Sequence, residues 1–452
     1  MNRKSALRGL VGPAVAAILA LGLAACSHDP DTARNNGAAE TAKAAAPSHD
    51  SDMALYTHVL DRVRASYVEP VTEDKLIANS LKGMLSSLDP HSDFLDESEY
   101  QDLVDESEGE FAGIGAEITR DESHPKVISP IDNTPAAKAG LKPGDVILKI
   151  DGKLTEGMDL KDVVDRLRGP VGTPVSMTIA RMGVRPFNVV LTRAVIHVAS
   201  VKSRLEPGKI GYIRVSLFAE KTNDELVKAI DTLTRKAGGR LNGMVLDLRN
   251  DPGGLLDQAV AVAGDFLDGG VVVSTRGRDP DDNRVFDAPN SGDRLAGVPM
   301  VVLINGASAS ASEIVAGALK ERHRAQILGT RSFGKGSVQT IIPLEGRGAI
   351  RLTTALYYTP SGNSIQDRGI TPDFVVLPPK GERTPQVDII HEADLKGAIS
   401  NPGGPVKAAV NDNSPEANID PLLIGTPKDY QLTVAVDRLK TAQPKTAATT
   451  AR

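Results

Sequence analysis

Residues 300–339 read MVVLINGASASASEIVAGALKERHRAQILGTRSFGKGSVQ, and the rest of the chain is organised around them. The apolar run Val301 to Ile304 meets Asn305-Gly306, then a string of serine and alanine, then a helical pattern from about Ser312. That order of patterns predicts a strand, a tight turn and a helix N-terminus. A second unit follows, with Ile327-Leu328, a glycine-rich loop, Lys335 and a strand-like run from Val338.

A serine hydroxyl is a weak nucleophile and needs a base within hydrogen-bond reach. No histidine lies between Ser308 and Arg322, so a local Ser–His pair is excluded, whereas a Ser–Lys pair is an accepted variant of the same logic. Lysine acts as a base only when neutral, and burial favours that form. Phe333, Gly334 and Gly336 are small or apolar neighbours that would let Lys335 point inward. Gln339 follows four positions later and shares a face with Lys335 if the chain is extended there. Its amide would hold the amine without adding a charge. Backbone N–H groups at a helix start lack partners and suit a developing oxyanion. Ser310-Ala-Ser-Glu313 fits a capping box equally well, so the residues alone leave capping and chemistry both open.

The strings NGASASASEI (305–314) and GTRSFGKGSVQ (329–339) resemble the carboxyl-terminal processing peptidases, also called tail-specific proteases. In that family the middle serine of SASAS is the nucleophile, the base lysine follows 25 positions later, and a glutamine follows four after that. Those spacings select Ser310, Lys335 and Gln339. Ser308 and Ser312 then serve the helix start and its packing. A rival is the phosphate-binding loop, which Gly329 to Gly336 nearly spells. Gly336 stands where the magnesium-binding hydroxyl belongs, and a strand-like run follows where that loop must open a helix.

The chain has 452 residues, 40% hydrophobic and 24% charged, enough for two or three domains with a sizeable core. Its net charge of −6, with no basic block interleaved with aromatics, argues against nucleic acid as a main partner. Residues 1–26 read as targeting: Asn2-Arg3-Lys4 and Arg8 are followed by an apolar run from Leu10 to Ala25, short and interrupted by Gly12-Pro13. The run ends Leu23-Ala24-Ala25-Cys26, which resembles the bacterial lipoprotein box. Lipid-modified Cys26 would anchor the protein on the periplasmic side of a membrane, outside the cytoplasm. It is the chain's one cysteine, so no disulfide can form within the chain. Residues 27–51 read as a flexible tether.

From Met53 to about Leu103 the spacing is helical, and Ser87-Leu-Asp-Pro-His91-Ser-Asp-Phe94-Leu95 resembles the family's N-terminal helical region. His91 is expected to cap or bond locally. Beyond Glu110 the pattern turns to short strand-like runs. Phe111-Ala-Gly113-Ile114-Gly115 looks like the carboxylate-binding loop of a PDZ domain, and 133–152 (NTPAAKAGLKPGDVILKIDG) like that module's most recognisable stretch. Glycines let successive N–H groups turn toward one carboxylate, and an adjacent strand edge pairs with the peptide.

Strand-like Gly243 to Arg249 ends in Asn250-Asp-Pro-Gly253-Gly254. The resemblance implies that a glycine N–H of this turn, Gly253 before Gly254, completes an oxyanion hole with the N–H of Ala311. Asp247 and Arg249 would brace the turn. Residues 269–294 read as an exposed loop and 361–373 as scaffold. Tyr430 to Leu439 reads as a short helix, and 442–452 as low-complexity. His391-Glu392 lacks the second histidine of a zinc motif, so no metal and no cofactor is expected.

The reading is a multi-domain α/β protein: a crotonase-like ββα-type protease core with an N-terminal helical region and an inserted β-rich PDZ domain. The expected domains are a lipoprotein signal peptide (1–26), the tether (27–51), the helical region (52–103), the PDZ domain (104–193), the serine peptidase core (194–378) and a partly disordered C-terminal extension (379–452). The expected function is an extracytoplasmic serine endopeptidase that takes substrate proteins by exposed C-termini. A homo-oligomer and an adaptor protein both stay open. The alternative is a non-catalytic PDZ lipoprotein scaffold.

Overall fold

The computed structural model describes residues 49–121, 124–383, 389–404 and 418–441. The expected signal peptide with Cys26, most of the expected tether and residues 442–452 lie outside the described residues. Residues 1–67 and 68–452 form two separate units. In the first, the described element is helix α1 (His49–Ser66), which buries none of its side chains. Among the described residues no helix is long and apolar enough to cross a membrane.

The second unit is built on a six-stranded sheet in the order β10-β11-β12-β15-β16-β19. Its strands are β10 (Val201–Glu206), β11 (Ile210–Val215), β12 (Gly243–Asp247), β15 (Met300–Ile304), β16 (Gln326–Gly329) and β19 (Phe374–Val375). All neighbours are parallel except β10 and β11. Parallel strands covered on both faces read as unbroken apolar runs, and β15 shows why. Met300, Val302 and Ile304 join the cluster under helices α6 (Thr222–Lys236), α7 (Leu256–Gly264) and α8 (Ala311–Glu321). Val301 and Leu303 alternate to the opposite face, against Leu432, Ala435, Val436 and Leu439 of α9 (Tyr430–Thr441). The C-terminal helix is therefore one wall of the core.

The core and α9 are also joined by one charge cluster. Arg249 is fully buried, and its guanidinium donates to Asp247 and Asp429 through both oxygens of each, and to Gln431. All five of its N–H groups are used, the condition under which a buried cation is tolerable. The expected bracing thus reaches 180 residues along the chain to Asp429.

A second sheet flanks the core, with β1 (Asp93–Leu95), β13 (Val271–Gly277), β14 (Arg284–Asp287), β17 (Ser337–Pro343) and β18 (Ala349–Tyr358). Two expectations change here. The region expected to be wholly helical has α2 (Glu73–Ser86) and α3 (Glu97–Glu108), but between them β1 pairs with β18. Residues 269–294 are not simply a loop: buried Val272 and Val273 anchor β13, which pairs with both β14 and β18.

The PDZ sheet runs β3 (Ala116–Asp121), β4 (His124–Pro130), β5 (Val146–Ile150), β7 (Pro174–Arg181), β8 (Val184–Thr192), with short β6 (Lys153–Leu154) on β5. Helices α4 (Pro135–Lys138) and α5 (Leu160–Leu167) complete it, α5 burying Val163 and Leu167. Antiparallel β2 (Glu110–Gly113) and β9 (Ala194–His197) close its neck.

Candidate active site

The end of β15 and the start of α8 place Ser310 where the sequence predicts. The turn is held by the other serines: Ser308 Oγ donates to Leu248 O (2.7 Å) and accepts from Asn305 N (2.9 Å), and Ser312 Oγ donates to Asp251 O (3.1 Å). Ser310 itself lies at φ 54°, ψ −113°. A helix-capping residue normally takes extended backbone, so capping alone does not account for this conformation. Backbone strain of this kind costs on the order of 1–3 kcal/mol and persists only where the surroundings enforce it. Ser310 is buried, and burial pushes the phenol of nearby Tyr357 up to about 12.

The 250–254 turn packs backbone to backbone on this elbow. A Cβ on Gly253 (φ 107°) would meet Ala309 O at 2.8 Å and both Ala311 N and Ser310 Cβ at 2.9 Å, so only glycine fits. The Gly253 N–H, however, already donates to Asp251 Oδ1 (2.9 Å), because the carboxyl two residues earlier folds back over the turn. Among the described residues the N–H groups of Ala311 and Gly254 have no acceptor. Asp251 is fully buried, which pushes its carboxyl up to about 8.

Glu313, one turn into α8, is the residue that sequence reasoning took for a cap alone. Its Oε2 accepts from Ser310 N (2.8 Å) and Lys335 N (3.0 Å). Its Oε1 accepts from Ser332 Oγ (2.5 Å) and Gly334 N (2.8 Å). One buried carboxylate therefore ties the backbone of the elbow to the backbone of the lysine loop. Burial outweighs these donors and raises its carboxyl to about 7.

Lys335 Nζ donates to Gln339 Oε1 at 2.7 Å, the face-sharing geometry expected of an extended segment. Burial pushes the amine below the ordinary 10.5. The Glu392 carboxylate opposes that shift, the Arg351 guanidinium adds to it, and Glu313 and Asp89 oppose it. Gln366 steadies the loop by accepting from Gly336 N (2.9 Å). The His91 backbone N–H bonds locally, to Asp89, but its side chain bonds to Glu392, at 2.8 and 2.9 Å, 301 residues away. Nothing in the sequence pattern pairs those two. Among the described residues no group of side chains could hold a metal.

In the PDZ domain, Ile114 is buried and Gly115 takes φ 76°, where a Cβ would lie 2.4 Å from Thr134. The carbonyls of Ile114 and Gly115 are used by Ala136 N and Ile131 N. β3 is an edge strand of its sheet.

A strained hydroxyl, acceptor-free N–H groups and a desolvated amine are the parts that acyl transfer requires. Comparison with known proteins matches residues 209–376 to peptidase family S41 and 126–181 to the PDZ domain. A carboxy-terminal-processing protease of Bartonella bacilliformis is 53% identical over 350 residues, 77% of this chain and 80% of the relative. The carboxy-terminal processing protease CtpA of Bacillus subtilis is 33% identical, covering 80% of this chain and 76% of its own. A solved photosystem II D1 C-terminal processing protease is 32% identical, covers 72% of this chain and 93% of its own, and has a TM-score of 0.43. The chain belongs to the carboxy-terminal-processing proteases of family S41, serine proteases with a PDZ domain.

Proposed function

We propose that Ser310 is the nucleophile and Lys335 its general base. The neutral amine takes the Ser310 proton as Oγ attacks the scissile carbonyl, then returns it to the leaving amine. Water, deprotonated by the same lysine, hydrolyses the acyl-enzyme. Gln339 holds the amine. The N–H of Ala311 and one from the Gly253–Gly254 turn receive the oxyanion. Gly254 is ready to donate, whereas Gly253 must first release Asp251. The observation that carries this reading is the Glu313 carboxylate, one oxygen of which grips both Ser310 and Lys335.

Substrate C-termini bind the Gly113-Ile114-Gly115 loop and extend along the β3 edge, and the PDZ domain gates the core as well as recruiting to it. The lipoprotein box at Cys26 supports an anchored form facing the periplasm. In the test, Ser310→Ala and Lys335→Ala variants are incubated with unfolded casein. Both are expected to stay folded and leave it intact. Wild-type turnover by either refutes the assignment.

A further inference from the structure

Gln339 can steady Lys335 only if its carbonyl, not its NH2, faces the amine, and the neighbouring strands decide which. Across the β17–β18 ladder Gln339 is paired with Thr353. Its Nε2 donates to Thr353 Oγ1 (3.2 Å) and Ser337 Oγ (3.0 Å). Thr353 Oγ1 has one proton, which goes to Asp89 Oδ1 (3.0 Å). Asp89 is buried in the loop before β1 and accepts in addition from His91 N (2.8 Å), Ser92 N (3.0 Å) and Ser92 Oγ (2.6 Å). Ser92 Oγ in turn accepts from Thr353 N (3.1 Å). With four donors converging on it, Asp89 is held below the usual carboxylate range and stays an acceptor, although burial opposes this.

A carboxylate only accepts, and a hydroxyl has a single proton to give. Thr353 must therefore accept from Gln339, which puts NH2 toward Thr353 and Oε1 toward Lys335. We propose that Asp89 and Thr353 are positioning residues for the protease reaction: they fix the Gln339 amide so that its Oε1 accepts a hydrogen bond from Lys335 Nζ and leaves the amine's lone pair for Ser310. The proposal rests on the Ser310/Lys335 reading. It also makes the loop before β1 part of the apparatus that sets the base.

If the amide were free to turn, its NH2 would donate to the lone pair, occupying the base and favouring its neutral form. Rate and pH profile then move in a recognisable way. The charged groups that act on the amine from every side are Glu392 (paired with His91), Arg351, Glu313 and Asp89, and all are retained in a Thr353 variant.

The test measures kcat, KM and the pH dependence of casein cleavage for wild type, Thr353→Val, Thr353→Ser and Asp89→Asn, with Ser310→Ala and Lys335→Ala alongside. Thr353→Val is expected to lose roughly ten- to a hundredfold in kcat, the equivalent of one hydrogen bond, at nearly unchanged KM. Its rise of activity with pH is expected to move to lower pH, and Thr353→Ser to restore both. Asp89→Asn, which removes a charge that favours protonated Lys335, moves the rise the same way. A Thr353→Val enzyme with the wild-type profile overturns the proposal, as does one that loses rate without a pH shift and is not rescued by serine. If Thr353→Val does not fold, Thr353→Ala, which also removes the hydroxyl and keeps every charge, decides, and an unshifted profile there overturns it. Turnover by Ser310→Ala or Lys335→Ala would instead overturn the underlying dyad.

Discussion

Glu313→Gln separates the charge of the carboxylate from its shape. Burial raises this carboxyl from 4.5 to about 7, even with four donors around it. The folded state therefore keeps a proton that the unfolded chain has released once pH exceeds the ordinary glutamate value. For a glutamate whose folded pKa is raised, the associated stability is fully present below pH 4.5 and is lost as pH climbs through 7. At about 1.4 kcal/mol per unit, the loss is on the order of 3 kcal/mol. Glutamine stays neutral throughout and lacks this dependence. It faces donors with an NH2 on one side, a fixed cost of about 1–3 kcal/mol for one unpaired buried N–H. Urea unfolding of both proteins at pH 5 and pH 8 measures the two terms. The variant is expected to be the weaker at pH 5 and to gain roughly 3 kcal/mol on wild type by pH 8. A difference that does not change with pH, or that moves in wild type's favour, refutes the reasoning.

Other perturbations test the scaffold. Arg249→Met strands Asp247 and Asp429 without their shared cation, and denaturant unfolding should show a loss of about 3–5 kcal/mol. Gly253→Ala demands an L side chain at φ 107° with its Cβ 2.9 Å from Ser310 Cβ. It should abolish casein cleavage while far-ultraviolet circular dichroism stays that of a folded protein.

The site was legible in sequence where its residues are contiguous. The run from Val301 to Gln339 has apolar alternation, a turn and a loop in one window, and both Ser310 and the Lys335–Gln339 pair stand where the pattern puts them. Glu313 looked like a cap because its Oε2 does bond Ser310 N, and a helix-local pattern cannot show the loop held by the same oxygen. Asp89, Thr353, Gln366 and Glu392 escaped because each reaches the lysine loop across a sheet or from a distant segment. The strand β1 was hidden by its three-residue length. In residues 269–294 the acidic, proline-containing segment masked the valines of β13. The helix near Tyr430 was visible, but its burial against β12 and β15 depends on the sheet's second apolar face.

The most direct measurement is the rate at which a fluorophosphonate acylates the enzyme across pH, with the adduct located by peptide mass spectrometry. A single adduct on Ser310 is expected. Its rate should rise with pH to a midpoint below the ordinary lysine value of 10.5, and Lys335→Ala should label on the order of a hundredfold or more slowly without that rise. An adduct at another residue, or wild-type labelling of Lys335→Ala, would contradict a neutral, desolvated Lys335 acting on Ser310.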